Sequence, residues 1–74
     1  MKGNKMNILA KYIYTSNECP KCEAMKKLYN EKGIAFTERS ADRIKAPEDN
    51  IDLEALIQAS IQNMELPVVV DFTL

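Results

Sequence analysis

The chain has 74 residues and two cysteines, Cys19 and Cys22, which stand two residues apart in the segment SNECPKCEAM. Two thiols at this spacing can form a disulfide with each other, bind a soft metal ion, or fill space as inert side chains. A disulfide between them would close too small a loop to constrain the unfolded chain usefully. Stabilisation of the fold by a disulfide therefore does not explain why the two cysteines stand so close together.

The composition excludes several other kinds of site. The chain has no histidine, which removes the common general base and the common nitrogen ligand for zinc. Its 10 basic and 11 acidic residues are interspersed and give a net charge of -1, so we expect neither nucleic acid nor a membrane as a partner. No run approaches the roughly 18 apolar residues of a membrane span. We expect a single cytoplasmic domain over residues 1–74.

The elements that must position the two thiols are a strand and a helix. Residues 8–14 (ILAKYIY) predict a buried strand, and the TSNECP segment predicts a turn. Over residues 20–32, apolar and small side chains recur at helical spacing, and Gly33 stands where a C-terminal cap is expected. Pro20 suits the first helical position. Cys19 is then the N-cap residue, and Cys22 lies in the first turn on the same face.

A thiol at a helix N-terminus has a definite chemical consequence. Unsatisfied N–H groups and the positive end of the helix dipole favour the thiolate form of Cys19. Cys22 lies within bonding distance, so the pair can cycle between dithiol and disulfide with little backbone movement. We expect Cys19 to be the exposed, attacking sulfur and Cys22 the more buried sulfur that resolves the mixed disulfide. Lys21 and Lys26 add positive potential nearby, whereas Glu18 opposes it.

In the second half of the chain, predicted strands and helices continue to alternate. Residues 34–38 (IAFTE) predict a second strand, and residues 39–50 an irregular connection with a loose turn of helix. A second amphipathic helix follows, with Asn50 or Asp52 as its N-cap. Its predicted apolar stripe is Leu53, Leu56, Ile57 and Ile61. Residues 66–72 (LPVVVDF) predict a buried strand entered through a proline. The β-α-β-α-β order predicts an α/β layer structure with the first two strands parallel.

Two segments of the chain resemble one family. YTSNECPKCEAMKKLY is similar to the active-site segment of the glutaredoxin-like small redoxins, in which a tyrosine-ending strand leads through a polar turn to Cys-Pro-x-Cys and a helix. MELPVVV resembles the second landmark of that family, a proline in the cis form before a buried strand. The match covers roughly residues 8–70. It implies a three-layer thioredoxin-like fold with a mixed sheet, here without the family's last strand and helix.

The resemblance also implies an activity, that of a thiol-disulfide oxidoreductase without a bound cofactor. Cys19 would be the nucleophile and Cys22 the resolving thiol. Pro67 would be the cis-proline that packs beside the disulfide, and the main chain of Leu66 would pair with the extended backbone of a substrate. The partners would be a protein disulfide or glutathione, together with a reductase as electron donor.

The chain departs from the family in two places. Lys21 stands where an aromatic residue is usual, and seven residues follow Pro67, where relatives have a Gly-Gly turn, a strand and a helix. In relatives that region helps to hold glutathione, so a protein disulfide or a dithiol reductant is at least as plausible a partner. The redoxins that supply ribonucleotide reductase are one such case. Lys21, and Tyr14 near the end of the first strand, are further candidates for substrate contact.

Without a further strand, residues 68–72 would form an exposed apolar edge. Such an edge invites pairing with another chain, so we expect self-association there unless the chain is a truncated version of a longer domain.

The rival function for the two thiols is a copper-binding or carrier module. Soft thiolates suit Cu(I), and copper-carrying domains of similar length also place C-x-x-C between a first strand and a first helix. Those domains lack a proline-led third strand, however, and need a hairpin where this chain has the irregular residues 39–50. A structural zinc site would require four ligands, and one chain offers two.

Overall fold

The computed structural model describes residues 9–73, and the predicted order of elements is confirmed in them. The elements are β1 (Leu9–Thr15), α1 (Pro20–Lys32), β2 (Thr37–Ser40), α2 (Asp42–Lys45), α3 (Asn50–Ile61) and β3 (Val68–Thr73). Ile8, the first residue of the predicted first strand, lies outside the described residues. No helix within residues 9–73 is long and apolar enough to cross a membrane.

The three strands form one mixed sheet in the order β2-β1-β3. β1 pairs in parallel with β2 and antiparallel with β3. At the carboxyl end of β1, Tyr14 lies opposite Arg39 of β2 and Val68 of β3. The parallel crossover and the mixed sheet expected from the sequence are both confirmed.

The helices cover both faces of this sheet, because successive side chains of a strand point to opposite faces. Arg39, in register with Tyr14, bonds to Asp52 of α3, which puts α3 on the face of Tyr14. Glu38, in register with Ile13, bonds to Lys26 of α1, which puts α1 on the other face. The result is the three-layer thioredoxin-like arrangement. The main core lies on the α3 face and comprises Tyr14, Ile44, Ala55, Ala59, Val68 and Val70.

Helix α1 begins and ends as predicted, because both of its ends are set by local residues. Pro20 occupies its first turn and Cys19 is the N-cap. Gly33 adopts the left-handed conformation with φ 71°, which glycine takes without the steric cost of a Cβ. The N–H of Ile34 then donates to the carbonyl of Tyr29 over 2.8 Å and satisfies the helix end.

The predicted bounds of the second strand were wrong. Residues 34–38 were expected to form it, whereas the ladder with β1 runs from Thr37 to Ser40. The apolar alternation has another cause, since Phe36 packs against Tyr29 of α1 with ring centroids 5.8 Å apart. The third strand also begins later than predicted, because Leu66 and Pro67 form the approach to β3 and not part of its ladder.

The N-cap of α3 is neither of the two predicted residues. Asp49 caps the helix, and its Oδ1 accepts the N–H of Asp52 over 2.8 Å. Asn50 is instead the first helical residue, and the carboxylate of Asp52 is bound inside the protein. The loose helical turn predicted in the connection is α2, and its Ile44 is buried in the core.

The predicted apolar stripe of α3 was also largely wrong. Leu53, Ile57 and Ile61 are 49%, 56% and 71% exposed, and only Leu56 of the predicted set packs against the core. The buried positions are Asp52, Ala55 and Ala59. Arg39 and Arg43 bind Asp52 inside the protein, which turns the face of Asp52, Ala55 and Ala59 toward the core. The bulky residues of the predicted stripe therefore lie on the outer faces of the helix.

Candidate active site

Cys19 and Cys22 are joined by a disulfide at the start of α1, with their Cα atoms 5.2 Å apart. The N–H of Cys22 donates to the Sγ of Cys19 over 3.1 Å, so the first sulfur caps the helix. Cys22 is fully buried, whereas Cys19 is half-buried. One sulfur is therefore accessible and held at a helix N-terminus, and the other lies behind it.

The turn that leads from β1 to the dithiol is exposed from Ser16 to Glu18. Glu18 adopts the left-handed conformation with φ 58°, which is uncommon for a residue with a Cβ. Pro20 and Lys21 are both exposed beside the two sulfurs. The surface around Cys19 is thus polar on the side of this turn, with charges of both signs.

The Leu66-Pro67 segment lies at the same end of the sheet as the dithiol. Its peptide bond is cis, as the resemblance implied. Val68 is in register with Tyr14, so Pro67 precedes the ladder at the end where β1 leads into the dithiol turn. Leu66 and Pro67 are both half-buried. The topology thus brings the dithiol, Leu66 and Pro67 to one end of the molecule.

The comparisons with known proteins agree with this arrangement. The family model described as Glutaredoxin matches residues 12–71, which include the dithiol, the cis-proline and most of all three strands. The chain belongs to the glutaredoxin family. No curated protein and no solved structure gave a significant match. Family membership and the paired cysteines together support a glutaredoxin-like role in thiol redox chemistry.

Tyr14 of this glutaredoxin is turned away from the dithiol. It is fully buried, and its hydroxyl donates to Oδ1 of Asp52 over 2.6 Å on the α3 face. Burial first, and then the hydrogen bond to Asp52, raise the pKa of Tyr14 to about 12. The structure therefore does not bring the Tyr14 side chain to the surface where a substrate would approach.

A buried charged cluster, which the sequence reasoning missed, surrounds Asp52. This carboxylate is fully buried and accepts hydrogen bonds from Tyr14, from Nη1 of Arg39 at 2.9 Å, and from Nε of Arg43 at 3.0 Å. The N–H of Glu48 donates to it as well, over 2.9 Å. Burial opposes ionisation, but these hydrogen bonds, led by that of Arg43, outweigh it and hold the pKa of Asp52 well below its usual range.

The cluster ties together the elements that flank the dithiol strand. Arg39 comes from β2, Arg43 from α2, and Asp49 at the start of α3 accepts a second bond from Arg39 over 3.0 Å. The guanidinium of Arg39 also lies 4.6 Å from the ring centroid of Tyr12. Two features of the sequence could have indicated this cluster. Asp52 stands between two apolar residues of a predicted helix, and two arginines four residues apart lie upstream of it.

A second polar connection lies on the face of the sheet covered by α1, the helix that begins at the dithiol. The hydroxyl of Thr15 donates to Oε2 of Glu38 over 2.5 Å, and Nζ of Lys26 approaches the same oxygen at 2.9 Å. Lys26 also pairs with Glu23 at 2.9 Å. The hydrogen bonds to Glu38 and Glu23 raise the pKa of Lys26. Its positive charge is therefore balanced by two carboxylates and adds little to the potential at the dithiol.

The structure gives no metal cluster in the part of the chain that it describes. Within residues 9–73, no group of three or more histidine, cysteine, aspartate or glutamate side chains is arranged to hold a metal ion. The two thiols of Cys19 and Cys22 are paired with each other.

Proposed function

We propose that this glutaredoxin is a thiol-disulfide oxidoreductase in which Cys19 is the nucleophile and Cys22 the resolving thiol. The observation that carries the proposal is the asymmetry of the pair: Cys19 is the helix N-cap and is half-buried, whereas Cys22 is fully buried one turn away. An accessible sulfur that accepts a helix N–H at the positive end of the helix dipole is suited to attack. A buried sulfur within bonding distance is suited to displace the product.

The proposed cycle needs no group beyond the two thiols and the substrate. The Cys19 thiolate attacks one sulfur of the substrate disulfide, which forms a mixed disulfide and releases the other substrate sulfur to take up a proton. Cys22 then loses its proton and attacks the Sγ of Cys19, which releases the second substrate thiol. Two electrons and two protons pass to the substrate, and the chain is left with the Cys19-Cys22 disulfide.

A protein disulfide is the substrate that we favour over glutathione. Leu66 would offer its main chain to the extended backbone of a substrate, in the manner of an added strand, with Pro67 beside the sulfurs. Lys21, exposed between the cysteines, would contact the substrate on the helix side. The charges on the dithiol turn have both signs, so this surface carries no strong selection for the anionic glutathione molecule.

The oxidised dithiol would be returned to its reduced form by a reductase or by glutathione. We place this cycle in the cytoplasm, where such donors keep thiols reduced. We also propose that residues 1–74 act as one domain and self-associate through the free edge of β3, since within residues 9–73 this strand pairs with β1 alone.

Trapping of the mixed disulfide tests the assignment of the two cysteines. The Cys22→Ser variant keeps the nucleophile but cannot resolve the intermediate, so mass spectrometry should find a stable adduct with a peptide disulfide at Cys19. The Cys19→Ser variant is the matched control and should form no adduct at a comparable rate. An adduct at Cys22 in that control, or none in either variant, would overturn the assignment.

A further inference from the structure

The side chain of Gln62 bonds to the segment that leads into β3. Helix α3 ends at Ile61, and its C-cap residue Gln62 directs its amide nitrogen to two main-chain carbonyls. The Nε2 of Gln62 donates to the carbonyl oxygen of Glu65 and to that of Pro67, the latter over 3.0 Å. Both acceptors are carbonyl oxygens, so only the NH₂ group of the amide can face them.

A second glutamine fixes the orientation of this amide. The Nε2 of Gln58, one helical turn earlier, donates to the Oε1 of Gln62 over 3.0 Å. This bond occupies the oxygen of Gln62 on the helix side and leaves its nitrogen directed at the loop. Both glutamines are half-buried, which shields these hydrogen bonds in part from competing water. Gln58 therefore orients the amide of Gln62, and Gln62 in turn holds the loop.

The segment held by Gln62 lies at the end of the sheet that carries the dithiol. Its two bonded carbonyls, of Glu65 and Pro67, stand on either side of Leu66. In residues 9–73, no hydrogen bond engages the N–H or the carbonyl of Leu66 itself. The chain thus fixes the neighbours of Leu66 and leaves the main chain of Leu66 free to bind.

We propose that Gln62, oriented by Gln58, is a positioning residue for substrate binding. By holding both flanking carbonyls, Gln62 presents the free main-chain groups of Leu66 in one orientation to an extended peptide that carries the disulfide. A preformed site binds more tightly, because the loop does not have to be ordered on binding. The proposal rests on the proposed function and names the residue on which its preference depends, for peptides with free main-chain groups beside the disulfide over small disulfides without them.

The experiment compares two substrates in the full chain. One is an extended peptide with a disulfide, and the other is bis(2-hydroxyethyl) disulfide, which has no main-chain amide. Dithiothreitol supplies the two electrons of each turnover in both assays, so no glutathione mixed disulfide is formed. The Gln62→Leu variant should lose about tenfold in kcat/KM for the peptide, mainly through KM, because it lacks both donors. Its kcat/KM for the small disulfide should stay within about twofold of the wild type. The Ser60→Ala variant, which loses a side-chain bond within the helix to the carbonyl of Leu56, is the control for both substrates.

Two further variants keep the proposal falsifiable if Gln62→Leu does not fold. Gln62→Glu has nearly the same shape but places a carboxylate against the two carbonyls, and it should show the same selective loss. Gln58→Leu removes only the orienting bond and should show a smaller loss, about threefold, on the peptide alone.

Unchanged peptide kinetics, or an equal loss on both substrates, would overturn the role of Gln62. Failure of the proposed function would look different, since the wild type itself would then reduce neither substrate.

Discussion

The hydroxyl of Tyr14 donates to the fully buried carboxylate of Asp52 over 2.6 Å and joins the central strand to the last helix. Five residues after Tyr14 the chain reaches Cys19, so this bond anchors the strand from which the dithiol turn departs. Arg39 and Arg43 complete the cluster and balance the charge of Asp52. The stability of this end of the sheet therefore depends on one buried acid.

Replacement of Asp52 by asparagine should destabilise the fold. The variant keeps the size of the side chain but removes the buried charge that Arg39 and Arg43 share, and it leaves them the more exposed carboxylates of Asp49 and Glu48. We expect a loss of about 3 kcal/mol in the free energy of unfolding, measured in denaturant. Glu54→Gln, an exposed change on the same helix, is the matched control and should be nearly neutral. Equal stability of Asp52→Asn and the control would contradict a structural role for the cluster.

Asp52 should also make stability depend on acid pH. Its pKa is lowered in the folded protein, so its contribution is present above the unfolded pKa, near 4, and is lost as the pH falls toward the folded value. Unfolding free energies measured from pH 6 down to pH 2 should therefore converge for the wild type and Asp52→Asn. A constant difference across that range would show that the ionisation of Asp52 is not linked to folding.

Tyr14 should make the stability of the fold depend on alkaline pH. Its pKa is raised to about 12, so its contribution is complete below its ordinary value near 10 and is lost as the pH rises toward 12. At neutral pH, Tyr14→Phe should cost about 2 kcal/mol, because a buried bond to a charged group is removed. Phenolate absorbance should show a late-titrating tyrosine in the wild type that is missing from the variant. A variant that instead loses a tyrosine titrating near pH 10 and keeps the late-titrating one would contradict the assignment.

The exposed and buried faces of α3 should respond differently to substitution. Ile57 is 56% exposed, so Ile57→Gln should change the free energy of unfolding by less than about 0.5 kcal/mol. Ala59 is buried against β3, and Ala59→Leu should cost about 1 to 3 kcal/mol by overpacking. Thermal or denaturant unfolding of the two variants gives the comparison. The reverse order of effects would mean that α3 is rotated relative to the sheet.

The free edge of β3 should pair with a second copy of the chain. Val69 is half-buried and is the second residue of this strand, so Val69→Lys should place a charge at the pairing edge and weaken association. Sedimentation over a wide concentration range should show a dimer for the wild type and a shift to monomer for the variant. A wild type that stays monomeric at high concentration would remove this proposal.

The parts of the fold that depend on local residues could be predicted from the sequence. Pro20 and Gly33 fix the two ends of α1, and a proline at the first turn makes Cys19 the N-cap. The dithiol and the order of elements follow from the same signals. The cis form of the Leu66-Pro67 bond came from the family resemblance and not from the residues themselves.

The parts that depend on tertiary contacts could not be predicted. The face of α3 follows from the two arginines that make burial of Asp52 favourable, and their partnership spans nine to thirteen residues of sequence. A hydrophobic periodicity alone places Leu53 and Ile57 inside and Asp52 outside. The bounds of β2 depend likewise on its register with β1, while the apolar residues before it pack on α1.

The most direct test of the central claim is a redox titration of the purified protein in glutathione buffers, with metal analysis of the same sample. We expect a reversible two-electron transition in metal-free protein, because one dithiol is converted to one disulfide. The Cys19→Ser variant should lose this transition while it keeps its fold. Absence of the transition in the wild type, with copper or zinc copurifying on the two thiolates, would contradict the redox function and favour a metal carrier.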